Sequence, residues 1–124
     1  MIDFTNKKIL KLSAEDPARG WKAVEELLIA GENVIDSFVS VRDRLVFTNK
    51  RIISVNVQGV TGMKKDFTSI PYRQIQTFSV ETAGFLELDA ELTLYISSVG
   101  MVQFQLFGSK HIKRLCAAIS QHIL

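Results

Sequence analysis

The hydrophobic pattern of the chain changes its period twice. Between Asp16 and Gly31 the apolar residues Trp21, Val24 and Leu28 recur at helical spacing. Asp16 can accept backbone N–H groups as an N-cap, and Pro17 suits the first helical position because it has no N–H to leave unpaired. Gly31 suits the residue just past the end. The spacing predicts a helix over about 17–30. From Asn33 the runs become short and extended. Strands are predicted over 34–41, 45–48, 51–57, 65–70 and 76–81. Arg42-Asp43-Arg44 and Asn49-Lys50 form tight turns, and Gln58–Met63, with Gly59 and Gly62, forms a loop. Pro71 limits pairing after the fourth of these strands because it cannot donate to a ladder, and Gly84 marks a break or bulge.

The clearest hairpin joins 91–97 to 101–107 through Ser98-Val99-Gly100. Leu92, Leu94 and Ile96 share one face, and Val102, Phe104 and Leu106 share the face opposite. In the last segment Ile112, Leu115, Cys116, Ile119 and Ile123 form one helical stripe, with Ser109 as a credible N-cap. Residues 1–12 hold Ile9, Leu10 and Leu12 without a clear period.

The order is therefore helix, about seven strands, helix. A final amphipathic helix needs an apolar surface to cover, and a strongly bent antiparallel sheet with an open end supplies one. Several small β-barrels with a terminal helix fit this pattern. The whole chain reads as one domain, 1–124: a helical extension over about 1–31, a barrel over about 33–107 and a capping helix over about 109–124. It has no internal repeat, low-complexity tract or linker.

Four segments narrow the choice. Phe47–Arg51 reads FTNKR, Gln58–Gly62 reads QG-x-TG, Ile70–Ile75 reads IPY-x-x-I, and 80–92 contains VETAG and LDAEL. In these words the chain resembles the bacterial pleckstrin-homology-like proteins over nearly its whole length. The resemblance implies a mainly β fold: a seven-stranded, partly open antiparallel barrel capped by a C-terminal helix, here with an additional N-terminal helix. It also implies a binding or scaffolding module without enzymatic activity, assembled into homo-oligomeric rings. One position departs from the family pattern. An Asp often stands two residues before the Gln-Gly, and this chain has Asn56 there, which puts any role for that carboxylate in doubt.

Composition fits an ordinary globular chain of 124 residues, with 47% apolar and 23% charged residues. A net charge of +2 gives no general reason to expect nucleic acid as partner. The start of the chain lacks the apolar core and cleavage site of a signal peptide, and no window approaches a transmembrane span of ~18 residues. A single cysteine, Cys116, excludes an intramolecular disulfide, and a reducing cytoplasm is the simplest compartment. Contact with a membrane surface or with other proteins stays open.

Candidate chemistry is sparse. Cys116 lies in the apolar stripe of the last helix, where a small buried hydrophobe is the simpler reading. His111 and His122 are too far apart on that helix to form a metal pair. Glu87, Asp89 and Glu91, with Glu81 nearby, lack the pattern of a calcium loop and read as a solvated edge or as partners for cations of a neighbouring subunit. QGVTGMKK lacks the spacing of a phosphate loop. No cofactor or metal is expected.

Two functional readings remain. In the first, the protein is a non-catalytic interaction module that self-assembles. Val34–Val41 and Leu45-Val46-Phe47 carry apolar residues on both faces, although a strand of a small barrel needs only one buried face. The second face must be covered by the N-terminal helix with Trp21 or by another subunit, which makes Val34, Phe38 and Val46 candidate interface residues. In the second reading, Lys64, Lys65, Lys110, Lys113 and Arg114 form a basic surface for anionic ligands or membranes. Positive side chains at the start of the last helix oppose its dipole, and a bound anion would relieve them. The short Arg42-Asp43-Arg44 connection, with an acid inside it, argues against specific phosphoinositide recognition.

Overall fold

Alternating apolar and polar side chains drive the middle of the chain into strands that curl round one core. In the computed structural model, residues 10–59, 64–82 and 89–124 are described. The expected break at Gly84, the loop glycine Gly62, the acidic Glu87 and the segment through Ile9 lie outside these residues. The strands are β1 (Leu10–Glu15), β2 (Val34–Val39), β3 (Asp43–Thr48), β4 (Arg51–Gln58), β5 (Lys64–Pro71), β6 (Thr77–Thr82), β7 (Ala90–Ile96) and β8 (Gly100–Phe107). The helices are α1 (Pro17–Val24) and α2 (Ile112–Ile123), and a short 3-10 turn, Glu25–Leu27, continues α1.

The described residues form one sheet of eight strands in the order β5-β4-β3-β2-β1-β8-β7-β6. The predicted hairpin is present, with Leu92 opposite Phe104 and Leu94 opposite Val102. Gly100, at a φ of 102°, takes the left-handed conformation that its turn requires. Seven strands were expected, and β1 is the addition. It lies between β2, to which it is antiparallel, and β8, to which it is parallel. Leu12 falls opposite Leu106 and faces the core.

The sheet has two apolar faces, each covered within the chain. Its concave face holds the main core, including Phe38, Phe47, Leu94, Phe104 and Ile119. Phe38 and Phe47 meet edge to face at 5.7 Å. The convex face holds a smaller cluster of Val46, Ile53 and Val55, covered by Val24, Ala23 and Leu28. Burying each of these aliphatic side chains contributes about 1.5–3 kcal/mol. α1 can lie this close because Gly20 has no side chain: a Cβ there would stand 2.3 Å from Ser37 Oγ.

The N-terminal helix is shorter than its sequence pattern suggested. Asp16 Oδ1 accepts the Ala18 N–H at 3.0 Å, as expected of an N-cap. The chain extends again at Leu28, which returns that side chain to the convex cluster. Trp21, expected on the covering face, is 48% exposed.

α2 closes the open end of the curled sheet by inserting Leu115, Ala118 and Ile119 into the main core. Its N-cap position is His111 rather than Ser109. The Ser109 hydroxyl donates instead to the buried Asp36 carboxylate at 2.8 Å and accepts the His111 N–H at 3.1 Å. The hydroxyl is held by the strand beneath it, and the N–H it accepts belongs to His111, one residue before the helix begins.

Candidate functional site

The family-like words FTNKR and IPY converge on one buried polar network. Arg51 Nε and Nη2 donate to Glu32 Oε2 and Oε1 at 2.9 and 3.0 Å. Thr48 Oγ1 donates to Glu32 Oε2 at 2.7 Å and accepts the N–H groups of Lys50 and Arg51. Tyr72 donates its hydroxyl to the Thr48 carbonyl at 2.6 Å. Asn49 accepts the Asn33 N–H and donates to the Gly31 carbonyl. The network ties the loop after α1 to the β3–β4 turn and to the end of β5. Burial pushes the Glu32 carboxyl up, but Arg51, Thr48 and the Ile29 N–H outweigh it and hold the group below its ordinary range. Burial, and then Glu32, push the Tyr72 phenol far upward. These residues are saturated with partners and serve the fold.

The five candidate anion-binding cations are not one patch. β1, β3, β5 and β8 run in the same direction through the ladder. Lys64 and Lys65 start β5, whereas Lys110, Lys113 and Arg114 follow the end of β8. The two groups therefore lie at opposite ends of the strands. All five are exposed, and α2 has no side-chain cap at its start.

Beside Lys110 and His111 a cleft of about 300 Å³ opens between the β1–α1 corner and the start of α2, with Glu15, Asp16 and Asp36 on its other wall. Glu15 is already paired: Arg44 Nε donates to it at 2.6 Å and Ser37 Oγ at 2.6 Å. Burial raises its pKa, but Arg44 and Ser37 prevail and hold the carboxyl below its usual range. Burial prevails at Asp36 and pushes that carboxyl up, against the bonds from Ser109 and from the Ser37 N–H.

A second cleft, of about 200 Å³, is lined by Glu81, Asp89, Glu91, Gln105 and Phe107. Asp89 accepts the Gly108 N–H at 3.0 Å. Among the described residues no group of three or more His, Cys, Asp or Glu is placed to hold a metal ion. Asn56 donates to Asp43 at 2.7 Å and stands in register between Asp43 and Asp66. An Asp at that position would set acids against one another across neighbouring strands. Cys116 is half-buried among Leu92, Leu106, Leu115 and Ile119, and burial pushes its thiol up. His111 and His122 lie at opposite ends of α2.

The candidate interface residues need correction. Phe38 and Val46 are both fully buried within the single chain, Phe38 in the main core and Val46 under α1. Val34 is half-buried against the convex cluster. None of the three is an exposed contact. The sequence reading did not single out the large apolar side chains that do reach the surface, among them Phe67, Tyr95 and Met101. Strict alternation was their signal: Tyr95 and Met101 pair directly on the outward positions of the hairpin.

A curled, incompletely closed sheet capped by a C-terminal helix defines a pleckstrin-homology-like fold. The family description "Bacterial PH domain" matches residues 3–123, and the chain belongs to that family. It is similar to a pleckstrin-homology-domain protein of Shewanella loihica, with 31% identity, a TM-score of 0.70, and 93% of this chain and 99% of that one covered. A pleckstrin homology domain of Shewanella amazonensis matches at 35% identity and a TM-score of 0.56, over 89% and 90% of the two chains. The uncharacterized protein YjqA of Bacillus subtilis is 55% identical over 71 residues, 57% of each chain. The uncharacterized protein YozO of the same organism is 37% identical over 78 residues, 62% of this chain and 67% of that one. The match thus spans little more than half of YjqA. No helix among the described residues is long and apolar enough to cross a membrane.

Proposed function

We propose that this chain is a non-catalytic, cytoplasmic interaction module of the pleckstrin-homology type that self-associates, as a ring, and offers the shared surface to protein partners. The observation that supports it is the incomplete closure of the sheet. Among the described residues, β5 and β6 end the strand order. Such edges present unpaired backbone N–H and C=O groups and are ready templates for another chain. The polar networks give no support to catalysis, because their acids and bases are committed to one another and to the backbone. Sedimentation velocity at physiological salt tests the reading. A discrete species several times the mass of one chain is expected, and a single species of 13.9 kDa at every concentration would refute it.

A second reading rests on the start of α2, where the exposed Lys110, Lys113 and Arg114 surround an uncapped helix end. It assigns that end to an anionic surface, without Lys64 and Lys65. Cosedimentation with phosphatidylserine vesicles, lost in Lys113→Glu/Arg114→Glu, would support it. Binding that survives the charge reversal would exclude it.

A further inference from the structure

The convex face of the sheet is covered on one half. There α1 lies on β2 and β3 and closes over Val46, Ile53 and Val55. The other half, made by β6, β7 and β8, has no helix over it among the described residues. Register fixes what it presents. Leu92, Leu94 and Phe104 point into the main core, so the residues between them on β7 and β8 point outward. At one end of this bare half Tyr95 stands opposite Met101, and the two are 47% and 59% exposed. Towards the other end of β7, Glu91 stands opposite Glu81 of β6.

Like charges directly opposite one another repel. The ion pairs among the described residues join Arg44 to Glu15 and Arg51 to Glu32, and neither Glu81 nor Glu91 has a cation. Lys11 lies on the same face beyond Gln105 and pairs with neither acid. Glu91 accepts a long bond, 3.5 Å, from Gln103 Nε2. The cleft of about 200 Å³ beside the two acids has Phe107 as an apolar wall. That combination suits the side chain of an Arg or Lys, which lays its methylene stem on apolar surface and carries its charge at the tip. Between the acidic end and the apolar end, Ser79 and Thr93 stand opposite one another. Both are short, so another backbone can come close.

We propose that the bare half of the convex face docks an amphipathic basic helix of another protein, with an Arg or Lys of that helix in the Glu81–Glu91 cleft and an apolar side chain on Tyr95 and Met101. The proposal rests on the interaction-module reading above and names the chemistry of the partner, and it does not depend on self-association. A helix is the fitting occupant because α1 covers the other half of the same face in that way. The contact is made by side chains on the flat of the sheet and not by the backbone of an edge strand. From Tyr95 to Glu91 the strand advances about 13 Å. A helix needs about nine residues to cover that distance, so the partner carries its apolar anchor and its cation about two and a half turns apart. The acids make the face a poor match for an anionic membrane.

A synthetic probe tests the surface. It is a fluorescein-labelled, Ala-rich helical peptide of about 20 residues, with Leu and Arg about nine residues apart, and a control peptide carries Glu in place of Arg. Fluorescence anisotropy at low and at physiological salt should show that the unaltered protein binds the Arg peptide, more weakly as salt rises, and ignores the Glu peptide. Glu81→Lys/Glu91→Lys and Tyr95→Ser/Met101→Ser should each weaken binding about tenfold or more, with circular dichroism to verify folding. The milder Glu81→Gln/Glu91→Gln should weaken it in the same sense and covers the case of a reversal that does not fold. An Arg peptide that the unaltered protein fails to bind at either salt, or that every variant binds equally, overturns the proposal. Native mass spectrometry separates it from self-association. Tyr95→Ser/Met101→Ser should leave the oligomeric state unchanged, and a multimer lost in that variant would mean that a second copy covers the face and would overturn the foreign partner. An unaltered protein that is monomeric and still binds the Arg peptide refutes self-association and upholds the docking face.

Discussion

The Glu32 carboxylate and the Arg51 guanidinium meet in a two-point contact, and the carboxylate side chain is wholly withdrawn from solvent. Arg51 also donates to the Leu27 carbonyl at 2.6 Å and to Ser69 at 3.0 Å. One guanidinium thus joins the segment after α1, strand β4 and strand β5. Removing one partner of such a pair leaves an uncompensated charge, at a cost of about 3–5 kcal/mol. Glu32→Ala should therefore lower the urea midpoint strongly. Arg51→Lys should also be harmful, because an ammonium cannot reproduce the planar two-point geometry. An Arg51→Lys midpoint equal to that of the parent would show that the fork is not needed.

Acid should weaken the fold through the same carboxylates. Glu15 and Glu32 are held below their ordinary value of 4.5. A depressed carboxyl stabilises the folded state above its unfolded pKa, and that stability is lost as pH falls through the folded value. Urea stability should therefore decline below about pH 4.5, and the decline should flatten in Glu32→Gln. Asp36 has the opposite sign. Its raised carboxyl favours the folded state when protonated, below its ordinary 3.8, and opposes it once ionised. Relative to the parent, Asp36→Asn should be better tolerated at pH 7 than at pH 3, and the reverse order would contradict the assignment.

Gly20 permits the close seat of α1 on β2. An added Cβ would lie 2.4 Å from Ser37 Cβ, closer than two carbons can stand. Overpacking of this kind costs about 1–3 kcal/mol. Thermal melts of Gly20→Ala should show that loss, and Ser37→Gly in the same chain should recover part of it by removing the atoms in conflict. Equal melting of Gly20→Ala and the parent would mean that α1 does not pack as described.

Val46 gives a sharper contrast. Were it an intersubunit contact, Val46→Asp would yield smaller species that stay folded. Buried under α1 with Val24 and Ile53, it should instead destabilise each chain, because a charge would enter an apolar cluster without a partner. Circular dichroism decides between them: a folded, well-behaved Val46→Asp protein would contradict the intramolecular cover.

Periodicity and turn residues carried most of the fold. The β7–β8 hairpin, the stripe of α2 and the Asp16-Pro17 helix start are each determined by a few neighbouring residues. β1 was missed because it is short and its interior contributes only small steps of alternation, Leu12 and Ala14 between polar Lys11, Ser13 and Glu15. Its place between β2 and β8 depends on partners distant in sequence. Burial of the two-sided strands was legible as a need for cover, yet the choice between α1 and another chain depended on Gly20, whose role appears only where the helix meets Ser37. The basic residues were legible one by one. Their division between opposite strand ends is a property of register, which no local pattern reveals.

Self-association of the domain is the central claim, and native mass spectrometry of the unaltered protein across a range of concentrations tests it most directly. One discrete multimer with a fixed number of copies, persisting on dilution before it gives way to single chains, is the predicted result. A spectrum of single chains alone at every concentration would contradict it, and the open edges of β5 and β6 would then have to be explained within the solitary domain.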